Sequence, residues 1–155
     1  MSRALAVALV VAAAAAAAAD GRTGPRPRTI VVGSDAAFAR AAQALRKSGG
    51  TIVLRAGSYA RLELGPRSAR PLRVVGSPGT RVGRFLLART QQVSIGRLTI
   101  APVGGDARLE LQGARNVDLH DLHVTARGTD FRSTIFVARR ITSVWPLVIG
   151  SNVPG

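Results

Sequence analysis

The amino-acid sequence predicts an all-β fold: a β-solenoid of parallel strands whose N-terminal end is capped by one α-helix. Short apolar segments rich in valine, isoleucine and leucine recur at a fixed interval, the one that separates Val93 from Val117, which we call the repeat interval. An alanine-rich stretch with apolar residues at helical spacing precedes them. A glycine pair, Gly49 and Gly50, separates that helix from the first apolar segment. A repeat of this length, built from strands, requires equivalent residues to stack in successive coils.

The first residues of the chain predict export. A basic start at Arg3 is followed by an apolar run over 4–19 that ends in small residues, which is the layout of a signal peptide cleaved before Asp20. The run is shorter than the roughly 20 residues that span a bilayer. Residues 20–28 form a linker of glycine, proline and arginine. We therefore expect a secreted or extracytoplasmic protein with no membrane span after cleavage; the alternative is an uncleaved alanine-rich anchor.

Residues 34–48 predict the capping helix. Ser34 is a favourable N-cap, and Asp35 lies at the positive end of the helix dipole. The apolar residues recur at helical spacing: Phe38, Ala41, Ala42 and Leu45. Gly49 suits the left-handed conformation that ends a helix. A helix here would cover the stacked apolar side chains and unpaired strand edge at the end of a solenoid.

Residues 49–141 predict the coils. The segments VSIGRLTI (93–100) and VDLHDLHV (117–124) align with four apolar pairs separated by the repeat interval: Val93 with Val117, Ile95 with Leu119, Leu98 with Leu122, and Ile100 with Val124. The same interval links Leu62 to Leu86, Leu87 to Leu111, and Val117 to Ile141. Helical repeats do not fit, because the units are short, β-branched and interrupted by glycine. Each coil is expected to bend through three faces.

The order of these features resembles a known family. A helix ending in Gly-Gly, then T-I-V-L, two residues and G-x-Y, followed by V-x-I-x-x-L-x-I coils, is similar to the right-handed parallel β-helix proteins of the pectate-lyase-like superfamily. The resemblance covers residues 34–141 and implies a parallel β-helix domain over 29–155. The superfamily includes polysaccharide lyases, hydrolases and epimerases as well as adhesins, so the fold does not settle the activity.

The end of the chain departs from the repeat. Residues 142–155 predict an irregular end, because Pro146 falls where an inward strand residue is expected and proline removes a ladder hydrogen bond. Members of the superfamily usually continue for several more coils. We therefore expect the chain to be the N-terminal portion of a longer solenoid.

The densest polar cluster provides the candidate binding residues: Asp118, His120, Asp121 and His123, with the basic residues Arg97 and Arg115 nearby. Strand alternation predicts that residues 118, 120 and 123 face solvent, with residue 121 at a bend. In the similar β-helix enzymes an exposed sheet face binds the polymer, and carboxylates there hold Ca²⁺. The alternative is a solvated face that only offsets the neighbouring arginines.

Motifs for catalysis are missing from the sequence. It contains no Asp-Asp pair like that of the galacturonases and no R-x-P-x-x-R segment like that of the pectate lyases. It has no zinc-site motif, and with no cysteine it forms no disulfide. No motif in the sequence therefore predicts a metal site, and the enzymatic assignment stays open. The resemblance to the β-helix enzymes makes Ca²⁺ the candidate cofactor.

Charge narrows the class of partner. The formal net charge is +14, and Lys47 is the single lysine among 22 basic residues. Such a chain attracts polyanions. Export and an aromatic content of 4% disfavour nucleic acid, because proteins that bind single strands stack the bases on aromatic side chains. The sequence predicts an exported β-helix repeat protein that binds or processes an anionic polysaccharide. The alternative is a non-catalytic structural or adhesion module of the envelope.

Overall fold

The computed structural model describes residues 27–67, 70–105 and 107–125, together with the backbone of 130–143 and 148–150. The predicted signal peptide over 1–19, and the predicted linker apart from residues 27 and 28, lie outside the described residues. The elements are β1 (Thr29–Val32), α1 (Asp35–Ala44), β2 (Gly50–Leu54), β3 (Gly57–Leu64), β4 (Leu72–Gly76), β5 (Thr80–Ala88), β6 (Gln91–Ile100), β7 (Arg108–Val124), β8 (Asp130–Ser143) and β9 (Val148–Gly150).

All described strands pair in parallel within one sheet. The strands follow the order β1-β2-β4-β6-β5-β7-β8-β9, with β3 paired to β5 and additional pairing between β6 and β7. The sheet curls through 251°, so that inward residues of β2 to β7 point into one apolar interior. The predicted parallel β class and the short helix are confirmed, and the curled sheet is compatible with a β-solenoid.

The register between β6 and β7 is the one that the repeat predicts. All four predicted apolar pairs are partners in the ladder: Val93 with Val117, Ile95 with Leu119, Leu98 with Leu122, and Ile100 with Val124. Their side chains are at most 4% exposed. Leu87 also pairs with Leu111, as predicted. The stacked apolar side chains therefore fix the register between repeats.

The spacing between paired strands is not constant along the chain. Leu62 pairs with Phe85 rather than with the predicted Leu86, and Val117 pairs with Phe136 rather than with Ile141. The repeat interval separates the partners where β7 pairs with β5 and with β6. Between the other paired strands, ladder partners are separated by fewer residues than the repeat interval. The connections between strands differ in length, whereas the stacked strands must stay aligned. Parallel pairing continues through β8 and β9, to Gly150.

Bends in successive repeats occur at equivalent positions. They lie where the backbone adopts a positive φ, in three pairs separated by the repeat interval: Arg89 with Gly113, Gln92 with Asn116, and Arg97 with Asp121. A positive φ is uncommon for residues other than glycine. Among those residues, asparagine and aspartate adopt it most often. The bends divide β6 and β7 into short arms that contribute to different parts of the curled sheet.

Helix α1 covers the edge of β3. The Ser34 hydroxyl accepts a hydrogen bond from the Ala37 N–H at 3.2 Å and caps the helix. Asp35 Oδ2 accepts hydrogen bonds from the N–H groups of Ala60 and Arg61, both at 3.1 Å, and so satisfies part of the β3 edge. Phe38 packs edge-on against Phe85 with ring centroids 5.8 Å apart. The helix therefore contributes apolar side chains to the core and hydrogen-bond acceptors to the sheet edge.

Glu110 is buried between two arginines on the outer face of β5 and β7. Its Oε2 accepts from Arg84 Nη2 at 2.8 Å, and its Oε1 accepts from Arg108 Nη1 at 3.1 Å. Its side chain is 8% exposed. Burial alone would raise the pKa of Glu110, but the hydrogen bonds and charges of Arg84 and Arg108 outweigh it and hold that pKa below its usual value. The carboxylate also relieves the repulsion between two arginines that are partners in the ladder.

We expect Glu110→Gln to lower the free energy of unfolding at pH 7 by about 2 kcal/mol, because it removes charge-assisted hydrogen bonds. Since the folded pKa is depressed, this stabilisation is present above the unfolded value of about 4.3 and is lost as pH falls through the folded pKa. Urea unfolding at pH 7 and near pH 3 measures the difference, which should shrink at the lower pH. Glu63→Gln is the control, because the exposed Arg61–Glu63 pair should contribute less than about 1 kcal/mol. Equal effects of the two variants would contradict the assignment.

Candidate functional site

Two adjoining clefts lie on the outer face of β2, β4, β6 and β7, which we call the cleft face. The first has a volume of about 520 Å³ and the second about 330 Å³. Thr51 and Arg73 line both of them. The two clefts therefore form one surface that crosses the strands rather than running along them.

The first cleft contains a row of polar residues at one register position. Thr51 pairs with Arg73, Arg73 with Ser94, and Ser94 with Asp118. Each comes from a different strand, and all four line the cleft together with other residues that include Arg70, Gln92 and Asn116. The row offers hydroxyl, guanidinium and carboxylate groups at intervals of one strand, about 4.8 Å.

The second cleft has apolar residues on one side and ionisable groups on the other. Val53 and Val75 are ladder partners on β2 and β4, and both line it. Arg97, His120 and Asp121 contribute from the next two repeats. The cleft thus combines a surface for aliphatic or ring carbons with groups that bind charged or hydrogen-bonding ligands.

His120 does not face solvent as the strand alternation predicts. It is 8% exposed, because its ladder partner Gly96 has no side chain and the imidazole lies over that glycine. A Cβ added to Gly96 would collide with the ring. The Nδ1 atom lies 2.9 Å from Asp121 Oδ2, so one nitrogen and one face of the ring are fixed by neighbours. Sequence alternation identified the correct face of the strand but not what covers it.

The structure brings together some of the predicted site residues and separates others. Arg97, His120 and Asp121 share the second cleft, and the partly buried Asp118 lies in the adjoining first cleft. His123 is exposed beyond the bend at Asp121, where it pairs with Thr99. Arg115 is exposed and pairs with Gln91. Neither His123 nor Arg115 lines either cleft.

The two carboxylates of the cluster that could bind Ca²⁺, Asp118 and Asp121, line different clefts. Among the described residues, no three histidine, aspartate or glutamate side chains form a group that could hold a metal ion. Besides these two carboxylates, the clefts present guanidinium, imidazole, hydroxyl and amide groups, which can donate hydrogen bonds to an oxygen-rich ligand.

Sequence reasoning missed Thr51, Arg73 and Gly96. The step from Arg73 to its partner Ser94 is shorter than the repeat interval, so a search at that interval does not align them. Gly96 did carry a signal, because glycine inside a strand often marks a close approach. It stands one repeat interval before His120, in the repeat whose register the sequence predicted correctly. The burial of His120 was therefore accessible to sequence reasoning, whereas the position of Arg73 was not.

Comparison of the chain with protein-family models, with curated proteins and with solved structures finds no match. In the part of the chain that the structure describes, no helix is long and apolar enough to cross a membrane. The fold and the site define the class at this level: a curled, parallel-strand β protein with a basic cleft crossing its strands.

Proposed function

We propose that the protein is an exported, right-handed parallel β-helix repeat protein of the pectate-lyase-like type, and that its cleft face binds an anionic polysaccharide. The observation that carries this proposal is the direction of the clefts. Both cross β2, β4, β6 and β7, and they share Arg73 on the second of these strands. An extended polymer fits this surface better than a small molecule does.

The dimensions of the clefts support a ligand of several units. Four strands at a separation of about 4.8 Å span about 14 Å, the length of a few sugar rings in an extended chain. The polar row of Thr51, Arg73, Ser94 and Asp118 can hydrogen-bond to hydroxyl groups of successive units. Val53, partly exposed beside its buried ladder partner Val75, supplies an apolar surface for the carbon side of a sugar ring.

The charge of the clefts supports an acidic ligand. Arg70 and Arg73 line the first cleft, and Arg73 and Arg97 the second. All three arginines are exposed and can pair with carboxylates. The formal charge of +14 adds a long-range attraction to any polyanion, so a test must separate cleft recognition from general attraction.

The test compares a cleft variant with a variant of equal charge. We expect Arg73→Gln combined with Arg97→Gln to weaken binding of polygalacturonate by about tenfold, which corresponds to about 1.4 kcal/mol from two partly solvated ion pairs. The control is Arg40→Gln combined with Arg81→Gln, which removes the same charge from exposed residues that line neither cleft. Calorimetry at constant ionic strength measures both, and a neutral glucan should not bind.

Three outcomes would contradict the proposal. They are an equal loss of affinity in both variants, tight binding of the neutral glucan, and equal affinity for polygalacturonate and heparin. The first and third would mean that the basic chain attracts polyanions without recognition by the clefts, and the second would mean that recognition does not depend on acidic groups. Adding calcium tests whether Asp118 and Asp121 cooperate in a metal site, and an unsaturated product absorbing in the ultraviolet would identify a lyase.

A further inference from the structure

The second cleft places three nitrogen-bearing side chains on three successive repeats. Arg73 lies on β4, Arg97 at the bend within β6, and His120 on β7. Neighbouring strands are about 4.8 Å apart, so these side chains can meet successive units of a ligand that crosses the strands. Two of the three groups carry a permanent positive charge, whereas the charge of a histidine depends on pH.

His120 is held in one orientation by its surroundings. Its ring lies over Gly96, and its Nδ1 is engaged with Asp121 Oδ2 at 2.9 Å. Among the described residues, no hydrogen bond to Nε2 is found. Nε2 is also absent from the fully buried polar atoms that lack a partner, which means that it is accessible. Nε2 is therefore the ring nitrogen that can reach a ligand in the cleft.

We infer that His120 is a third anion-contacting group of this cleft, and that it makes this contact in its protonated form, so that carboxylate binding and the charged imidazole favour each other. The inference rests on the proposed function and adds the ligand class: a linear polymer with a weakly acidic group on successive units. In the protonated form, Nδ1–H donates to Asp121 and Nε2–H donates to the ligand carboxylate.

The charges around His120 explain why protonation and binding are coupled. Asp121 favours a positive charge on the ring, whereas Arg73 and Arg97 in the same cleft oppose it. On β8, Arg139 is the ladder partner of His120. A bound carboxylate offsets the arginines and adds to the attraction of Asp121, so ligand binding and a positive charge on the ring favour each other.

The experiment measures the affinity for tetragalacturonate by calorimetry at about pH 5.5 and about pH 8, the range in which histidines titrate. The ligand carboxylates stay ionised at both values, because their ordinary titration lies lower. The wild type should bind about fivefold more tightly at the lower pH, the equivalent of one added hydrogen bond. His120→Gln should abolish this pH dependence and retain the weaker affinity.

The chain supplies its own matched control, because it contains two histidines. His123→Gln removes the exposed histidine beyond the bend and should leave the pH dependence unchanged. Gly96→Ala is the second test if His120→Gln does not fold. The added Cβ displaces the imidazole ring, although His120 itself is retained. The pH dependence of binding should therefore fall.

The inference is overturned if wild-type binding is independent of pH, if His120→Gln retains the pH dependence, or if His123→Gln removes it. Retention of the full pH dependence in Gly96→Ala would also overturn it. Failure of tetragalacturonate to bind at either pH would instead overturn the proposed function, so the two failures are distinguishable.

Discussion

Replacing Leu119 by aspartate is expected to lower the free energy of unfolding by at least about 4 kcal/mol, a large part of the stability of a domain of this size. Leu119 is 1% exposed and stacks on Ile95 in the ladder between β6 and β7. The substitution would remove apolar contacts and bury a carboxylate among the hydrophobic side chains of the described core. Urea unfolding followed by circular dichroism measures the loss.

The control for this prediction is His123→Asp, which places the same carboxylate at an exposed position of the same strand. We expect its effect on the free energy of unfolding to stay within about 1 kcal/mol. If the two aspartate variants were equally stable, the inward direction of Leu119 and the register of the whole repeat would be wrong.

Replacing Gly50 by alanine is expected to cost at least about 3 kcal/mol. Gly50 has a φ of +135°, which side chains other than glycine rarely adopt, and its N–H donates to the Pro71 carbonyl at 3.0 Å. A Cβ at this position would collide with the backbone oxygen of Arg28, the residue just before β1. Neither the backbone angle nor the neighbouring strand can adjust without breaking the parallel pairing of β1 with β2.

The matched control is Gly65→Ala. Gly65 lies after β3, and nothing lies within 4 Å of the position that a Cβ would occupy. We expect this variant to change the free energy of unfolding by less than about 1 kcal/mol, and reduced freedom of the unfolded chain could make it slightly stabilising. Similar melting temperatures for Gly50→Ala and Gly65→Ala would contradict the turn that joins α1 to β2.

The candidate site was predicted in part from the sequence. Alternation and the repeat interval predicted the register of β6 with β7, which places Asp118 and His120 on the outer side of the sheet. The prediction that the side chains of the cluster over 118–123 all act together was not supported by the geometry, because the bend at Asp121 sends His123 to another part of the sheet. A bend changes the direction of a strand, and a prediction from the alternation of inward and outward residues does not include that change.

The burial of His120 shows the same limit on a smaller scale. Alternation predicts which side of the sheet a residue takes, but exposure on that side depends on the size of the ladder partner. Gly96 leaves room for the imidazole, and a larger residue at that position would displace it. The exposed fraction of an outward side chain thus depends on its ladder partner as well as on its own position. It can be predicted once the register of the two strands is known.

The sequence by itself determined the β class, the parallel register of β6 with β7, the position of the capping helix and the glycine turn that follows it. These features depend on local backbone preferences and on the periodicity of apolar residues, both of which are encoded in neighbouring positions. Only the tertiary structure decided which outward residues meet in the clefts. The polar row of the first cleft includes Thr51, Arg73 and Ser94, which come from repeats of different length. They align because the inward side chains of their strands must stack, and this stacking does not depend on the length of the connections.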